Sequence, residues 1–112
     1  MNEKTLFYIM QGEVMCVQHV FLNALDLAEA GQDVKIIFEG QSVKLPPELD
    51  GKNPLYARCK NGGLIAGVCR ACSKKLGTLE ANEALGLTML DDMNGHAGMR
   101  PFVAEGFDVI VF

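Results

Sequence analysis

No stretch of this 112-residue chain approaches the about 18–20 consecutive apolar residues that a membrane-spanning helix needs, so no membrane association is expected. The N-terminal Met1-Asn2-Glu3-Lys4 leads into one short apolar run, Thr5 to Met10, and then into Gln11-Gly12-Glu13. That run is too short and too soon acidic for a secretory leader. Positive charge is not in surplus either: 10 Lys and Arg against 14 Asp and Glu leave a net charge of −4. A mildly acidic domain lacks the electrostatic footprint of a nucleic-acid binder, and no nucleic-acid partner is expected. Nucleotide signatures are missing. The turn Met10-Gln11-Gly12-Glu13-Val14-Met15-Cys16 has neither the spaced glycines of a dinucleotide fold nor the Gly-Lys-Ser/Thr of a phosphate loop. There is no Ser-centred nucleophile elbow. No cofactor is expected, and no internal repeat or low-complexity tract divides residues 1–112 into more than one domain.

The chain is rich in apolar residues, at 49%. Small domains keep much of their surface exposed, so part of that surplus points to a subunit interface and a homo-oligomer. The plain alternative is a well-filled core. There are four cysteines. In a chain without an export signal they are expected to stay reduced, which places the protein in the cytoplasm. Catalytic, redox or metal roles then rank above a disulfide staple. The methionines are dispersed and read as core filler.

Five short apolar runs alternate with helix-like or polar stretches. Thr5 to Met10 is continuous and aromatic, as in a strand buried on both faces. Val14 to Ala30 places apolar residues at helical spacing, and Gly31 is a plausible stop. Val34 to Phe38 reads as a second strand, and Glu39-Gly40-Gln41 as a turn. The segment Ser42 to Gly51, with Pro46-Pro47, reads as irregular. Asn53-Pro54 is a helix-start signal for a short helix to about Lys60. Leu64 to Val68 is a third strand, and a helix from Arg70 to Leu85 is expected to break at Gly77. Leu87 to Leu90 is a fourth strand, Met99 to Glu105 a helix, and Asp108 to Phe112 a fifth strand. Strands alternating with helices imply a parallel sheet with right-handed crossovers. The expected fold is a three-layer α/β/α sandwich on a five-stranded parallel sheet.

In open α/β sheets, ligands sit at the carboxyl ends of the strands. Loops on that edge begin near Gln11, Glu39, Cys69 and Asp91. Cys16, Cys69, Cys72 and His96 could therefore share one edge. Cys59 precedes the third strand and enters from the opposite edge, about 16 Å away for a five-residue strand.

The Cys-x-x-Cys of Val68-Cys69-Arg70-Ala71-Cys72-Ser73 stands at a strand-to-helix junction. A thiol there meets unpaired backbone N–H groups and the positive end of a helix dipole. Both favour the reactive thiolate, and Arg70, Lys74 and Lys75 add positive charge. Cys69 is the first candidate for a reactive residue, with room left by Gly67 and Ala71, and Cys72 is a candidate resolving thiol. The bland reading of either is a core residue. A thioredoxin-type reading fits poorly, because the motif follows the third strand and Pro101 is the one later proline. A zinc site is the other reading, with Cys16, Cys69, Cys72 and His96 as four ligands. Arg70, His96 and Gly12 are candidate substrate-binding residues. His19, within the first helix, looks structural, and Asp91-Asp92 reads as a loop cap.

The chain resembles the DsrE/DsrF-like family of small sulfur-relay proteins along nearly its whole length. The resemblance rests on the strand Leu6 to Met10, on Ala30-Gly31-Gln32-Asp33-Val34 leading into Lys35 to Phe38, on Gly67-Val68-Cys69-Arg70-Ala71-Cys72 followed by Gly77, and on Glu105 to Phe112. It implies a five-stranded parallel sheet and assembly into dimers, trimers or hexamers. It also implies a cysteine after the third strand that accepts persulfide sulfur from a donor protein and passes it to an acceptor. Cys69 matches that position. Cys72 and Cys16 depart from the pattern and leave redox or metal binding open. The expected function is thus a small sulfur-relay protein carrying persulfide on Cys69. The alternative is a non-enzymatic binding or assembly module with structural or zinc-binding cysteines.

Overall fold

The computed structural model describes residues 3–112; Met1 and Asn2, the start of the stretch read as lacking a leader, lie outside the described residues. Five strands form one parallel sheet: β1 (Lys4–Ile9), β2 (Asp33–Phe38), β3 (Ile65–Cys69), β4 (Met89–Leu90) and β5 (Asp108–Val111). Their spatial order is β4-β3-β2-β1-β5. The helices are α1 (Val14–Glu29), α2 (Leu45–Leu49), α3 (Pro54–Asn61), α4 (Arg70–Lys75), α5 (Leu79–Ala84) and α6 (Arg100–Ala104). This is the α/β/α sandwich that the alternation of periods predicts.

The central strands carry the core. Leu6, Phe7, Tyr8 and Ile9 of β1 and Ile36, Ile37 and Phe38 of β2 are all buried, so both faces of the sheet are covered. Covered faces explain why these strands read as unbroken apolar runs. Ile9 pairs with Phe38 in the ladder, which puts them on one face. There Phe21 of α1, Phe38 and Tyr56 of α3 meet, with ring centroids 6.1–6.4 Å apart. Each ring removed from water contributes about 1.5–3 kcal/mol. Tyr8, one residue from Ile9, points to the opposite face. There it meets the long connection from β4 to β5 that carries α6, bonding the Ala97 carbonyl.

Local signals account for most boundaries. Asn53 caps α3, its side chain accepting the amide N–H groups of Leu55 and Tyr56 at 3.0 Å each, with Pro54 in the first position. Gly77, with φ +75°, separates α4 from α5. The segment read as irregular is ordered instead: a 3₁₀ turn over Gly40–Lys44 runs into α2, with Pro46 and Pro47 in its opening turn. Prolines there lose nothing, because the first amides of a helix have no intrahelical partner. Pro101 opens α6 by the same logic. The methionines divide: Met89 and Met99 pack against the core as expected, whereas Met10, Met15 and Met93 are exposed. No helix among the described residues is long and apolar enough to cross a membrane.

Candidate metal centre

At the carboxyl ends of β2 and β3, Glu39, Cys69, Cys72 and His96 come together. One donor atom from each lies within 4.8 Å of the other three. Four positions spread over 58 residues of chain converge because three consecutive connections leave the same sheet edge.

Cys69 ends β3 and caps α4, where its Sγ accepts the Cys72 amide N–H at 3.4 Å. Cys72 lies one turn on, so both sulfurs face the same way. Gly67, two residues earlier, does not make room for the sulfur as its small size suggests. A Cβ there would stand 2.5 Å from the Thr88 carbonyl oxygen, so this glycine lets β4 approach β3.

His96 is presented by a tight hairpin. Asn94 and Gly95 both have positive φ, at +51° and +87°. That is the pattern of a type I′ turn, for which Asn-Gly is the favoured pair. Met93 and His96 exchange backbone hydrogen bonds of 2.9 Å across it, and the Ala71 amide donates to the Gly95 carbonyl at 2.9 Å, docking the hairpin on α4. The Asp92 carboxylate accepts the Gly98 amide at 3.1 Å, the loop-capping role expected of it. His96 Nδ1 then stands 3.3 Å from Cys69 Sγ, 3.5 Å from Cys72 Sγ and 3.6 Å from Glu39 Oε1.

Glu39 follows β2 directly. Its amide donates to the Ile9 carbonyl at 2.8 Å, and the Ser42 hydroxyl pins the same corner by donating to Ile9 and Glu39 carbonyls. The carboxylate is buried, 4% exposed, and fully engaged. Oε1 accepts the Cys72 thiol at 2.7 Å and the Gly40 amide at 3.1 Å. Oε2 accepts the Tyr8 hydroxyl at 3.0 Å, and the same hydroxyl lies 2.7 Å from the Ala97 carbonyl.

Burial works against the ionised form of Glu39. Hydrogen bonds from Cys72, Cys69, the Gly40 amide and Tyr8 outweigh it and hold the carboxyl below its usual range. Burial, then the neighbouring Glu39, pushes the Cys72 thiol up to about 12. Burial, then Glu39, also raises the Cys69 thiol, against the pull of the Cys72 and Ala97 amides. The expectation that the helix start lowers the Cys69 pKa is therefore not met. The helix start supplies one amide, that of Cys72, and the connection before α6 another, that of Ala97, but desolvation and a carboxylate are stronger. The group holds two thiol protons beside one ionised carboxylate, and a divalent cation can replace those protons.

Not every sequence candidate joins the group. Cys16 is exposed on α1, whose buried side is Val17, Val20, Phe21 and Ala24, so the helix turns this thiol outward. The expected four-ligand set is thus corrected, with Glu39 in place of Cys16. Arg70, between the two cysteines in sequence, is exposed. Gly12 abuts the following connection, where a Cβ would lie 3.1 Å from the Gln41 carbonyl oxygen and from Lys44 Cε. His19 is exposed on α1. Cys59 lies apart, as its entry from the other edge predicts, with its Sγ 3.9 Å from the Phe21 carbonyl.

Sequence reasoning missed Glu39 and Tyr8. The carboxyl-edge rule already put Glu39 at the mouth of a loop, but a lone acid beside glycine reads as a turn. Tyr8 was hidden in an apolar run.

The chain has a relative of similar size. It is 29% identical over 105 residues to an uncharacterized protein, MJ0733, of Methanocaldococcus jannaschii, covering 93% of this chain and 86% of that one. No family model matches the chain, and no solved structure does.

Proposed function

We propose that this protein binds one divalent transition-metal ion, zinc by its donor set, through Glu39, Cys69, Cys72 and His96. The observation that carries the reading is the convergence of four donor atoms within 4.8 Å of one another. The distances of His96 Nδ1 to the other three, 3.3, 3.5 and 3.6 Å, also suit it. Bonds of about 2.0–2.3 Å to tetrahedral zinc place neighbouring donors roughly 3.3–3.8 Å apart. Two thiolates and an imidazole are ligands for zinc, iron or copper, and a carboxylate as the fourth favours zinc over cuprous ion. Tyr8 supports the outer oxygen of Glu39, the kind of partner that orients a carboxylate ligand. Four protein donors make a closed site, which points to a structural or regulatory ion.

Sulfur relay, the activity that the family resemblance implies, is the second reading. In its favour, Cys69 ends β3 with the Cys72 amide aimed at its sulfur. Against it, Cys69 is 0% exposed and its thiol is held protonated. A persulfide carrier needs a thiolate that a partner protein can reach. The metal reading needs no such access.

Titration of the reduced protein with Co²⁺ tests the proposal. Thiolate-to-metal charge transfer and intense tetrahedral d–d bands, saturating at one ion per chain and displaced by Zn²⁺, are the expected result. Absence of those bands rejects the metal centre.

A further inference from the structure

The centre contains two unlike sulfurs. Cys69 is sealed in, whereas Cys72 is half-buried and His96 leaves 45% of its side chain open to solvent. An oxidant can therefore arrive from the His96 side and meet Cys72 first. The sulfur of Cys69 is already within 4.8 Å of that of Cys72. Residues three apart on one helical turn have neighbouring side chains, so rotation of the side chains can close the remaining gap.

Resting on the metal reading, we infer that the Cys69–Cys72 pair is a redox latch, closed to a disulfide by hydrogen peroxide with ejection of the metal ion. The Cys72 sulfur attacks the peroxide, the O–O bond breaks, and the leaving oxygen takes a proton to become water. Cys72 is left as a sulfenic acid. The Cys69 sulfur then attacks Cys72, the S–O bond breaks, the second oxygen leaves as water with another proton, and the S–S bond forms. The two sulfurs lose two electrons in all and the peroxide gains them. Disulfide sulfurs carry no charge, so only Glu39 and His96 remain as ligands, too few to retain the ion. The other two thiols stay out of this chemistry: Cys59 is buried in α3 against α1, outside the group, and Cys16 is exposed on α1.

The test uses the full chain loaded with Zn²⁺ and treated with hydrogen peroxide. Released zinc is followed with a chromogenic chelator, and the protein by intact mass. One zinc released per chain, a mass lower by two hydrogens, and renewed zinc uptake after dithiothreitol are expected. The Cys16→Ser chain should behave the same. Zinc retained through oxidation overturns the latch and leaves the metal centre standing. So does release that adds oxygen to sulfur and is not reversed by reductant, or release that depends on Cys16. Failure to take up zinc at all overturns both readings. Peptide mapping of the oxidised wild-type chain locates the disulfide, and any pairing other than Cys69 with Cys72 is decisive against the latch.

Discussion

Cys59 and Cys69 are both 0% exposed, yet they sit in opposite kinds of interior. Cys59 sits on the buried side of α3, with its Sγ 3.9 Å from the Phe21 carbonyl. Cys69 has the Cys72 amide, Glu39, Cys72 and His96 around its sulfur. Burial raises both thiols. At Cys59 burial dominates, and only the charge of neighbouring Arg58 pulls the other way. At Cys69 the raised value belongs to a set of groups that a cation would reorganise. Burial therefore does not separate a filler cysteine from a ligand; the chemistry of the neighbours does.

The same contrast divides the molecule. The face carrying α1 and α3 stabilises the fold, and the carboxyl edge carries the chemistry. Damage to one should leave the other readable. Phe38→Ala strips the ring that joins Phe21 and Tyr56. A loss of about 3–5 kcal/mol in unfolding free energy is expected from such a cavity. Denaturant melts should show it, and the fraction that stays folded should still take one zinc. Loss of zinc stoichiometry in the folded fraction would mean that the two regions are not separable.

Next in size is Cys69→Ser. It keeps the volume near the native one but removes a thiolate ligand. Zinc affinity should fall more than 100-fold, over about 2.7 kcal/mol, in competition with a chelator. Cys59→Ala should leave that affinity unchanged. Equal effects of the two substitutions would erase the distinction between the two buried thiols. Tyr8→Phe is milder, because the hydroxyl touches Glu39 and not the ion. A loss of about 10–100-fold in zinc affinity, with little change in fold, is the expected result. An unchanged affinity would remove Tyr8 from the centre.

Much of the frame was legible because it is written in short-range periods. The unbroken run at β1, the helical spacing from Val14, the Asn53-Pro54 start and the stop at Gly77 each fix one element by local physics. The carboxyl-edge rule then grouped Cys69, Cys72 and His96 correctly. It erred on Cys16 because it assigns residues to an edge and says nothing about which side of a helix faces the site. Here a shift of one residue from Val17 turns the thiol to solvent. Glu39 was illegible for the converse reason. Nothing local marks a carboxylate as a ligand. Only the contact with Tyr8 and Cys72, 31 and 33 positions away in the chain, gives it that role. The prolines of α2 misled because the pair breaks helices in their interiors yet suits their first turn.

The smallest effect isolates Cys59 itself. Burial pushes its thiol up to about 11 in the folded chain. In the unfolded chain it titrates near the free value of about 8.5. The unfolded form therefore loses its proton first as pH rises. The stability that comes from keeping Cys59 neutral is complete below about pH 8.5 and drains away from there toward about 11. At about pH 9.5 the loss is roughly 1 kcal/mol. Tyr56 titrates from a higher starting point, whereas Cys69 and Cys72 start from the same free thiol value, so comparison with Cys59→Ala is what isolates the Cys59 share. The difference in unfolding free energy between wild type and Cys59→Ala should thus shrink by that amount between neutral pH and about pH 9.5. In the zinc-loaded protein this difference should shrink equally, because Cys59 is remote from the ion. A shrinkage seen only in the metal-free protein would tie Cys59 to the centre and break the comparison on which the two regions were separated.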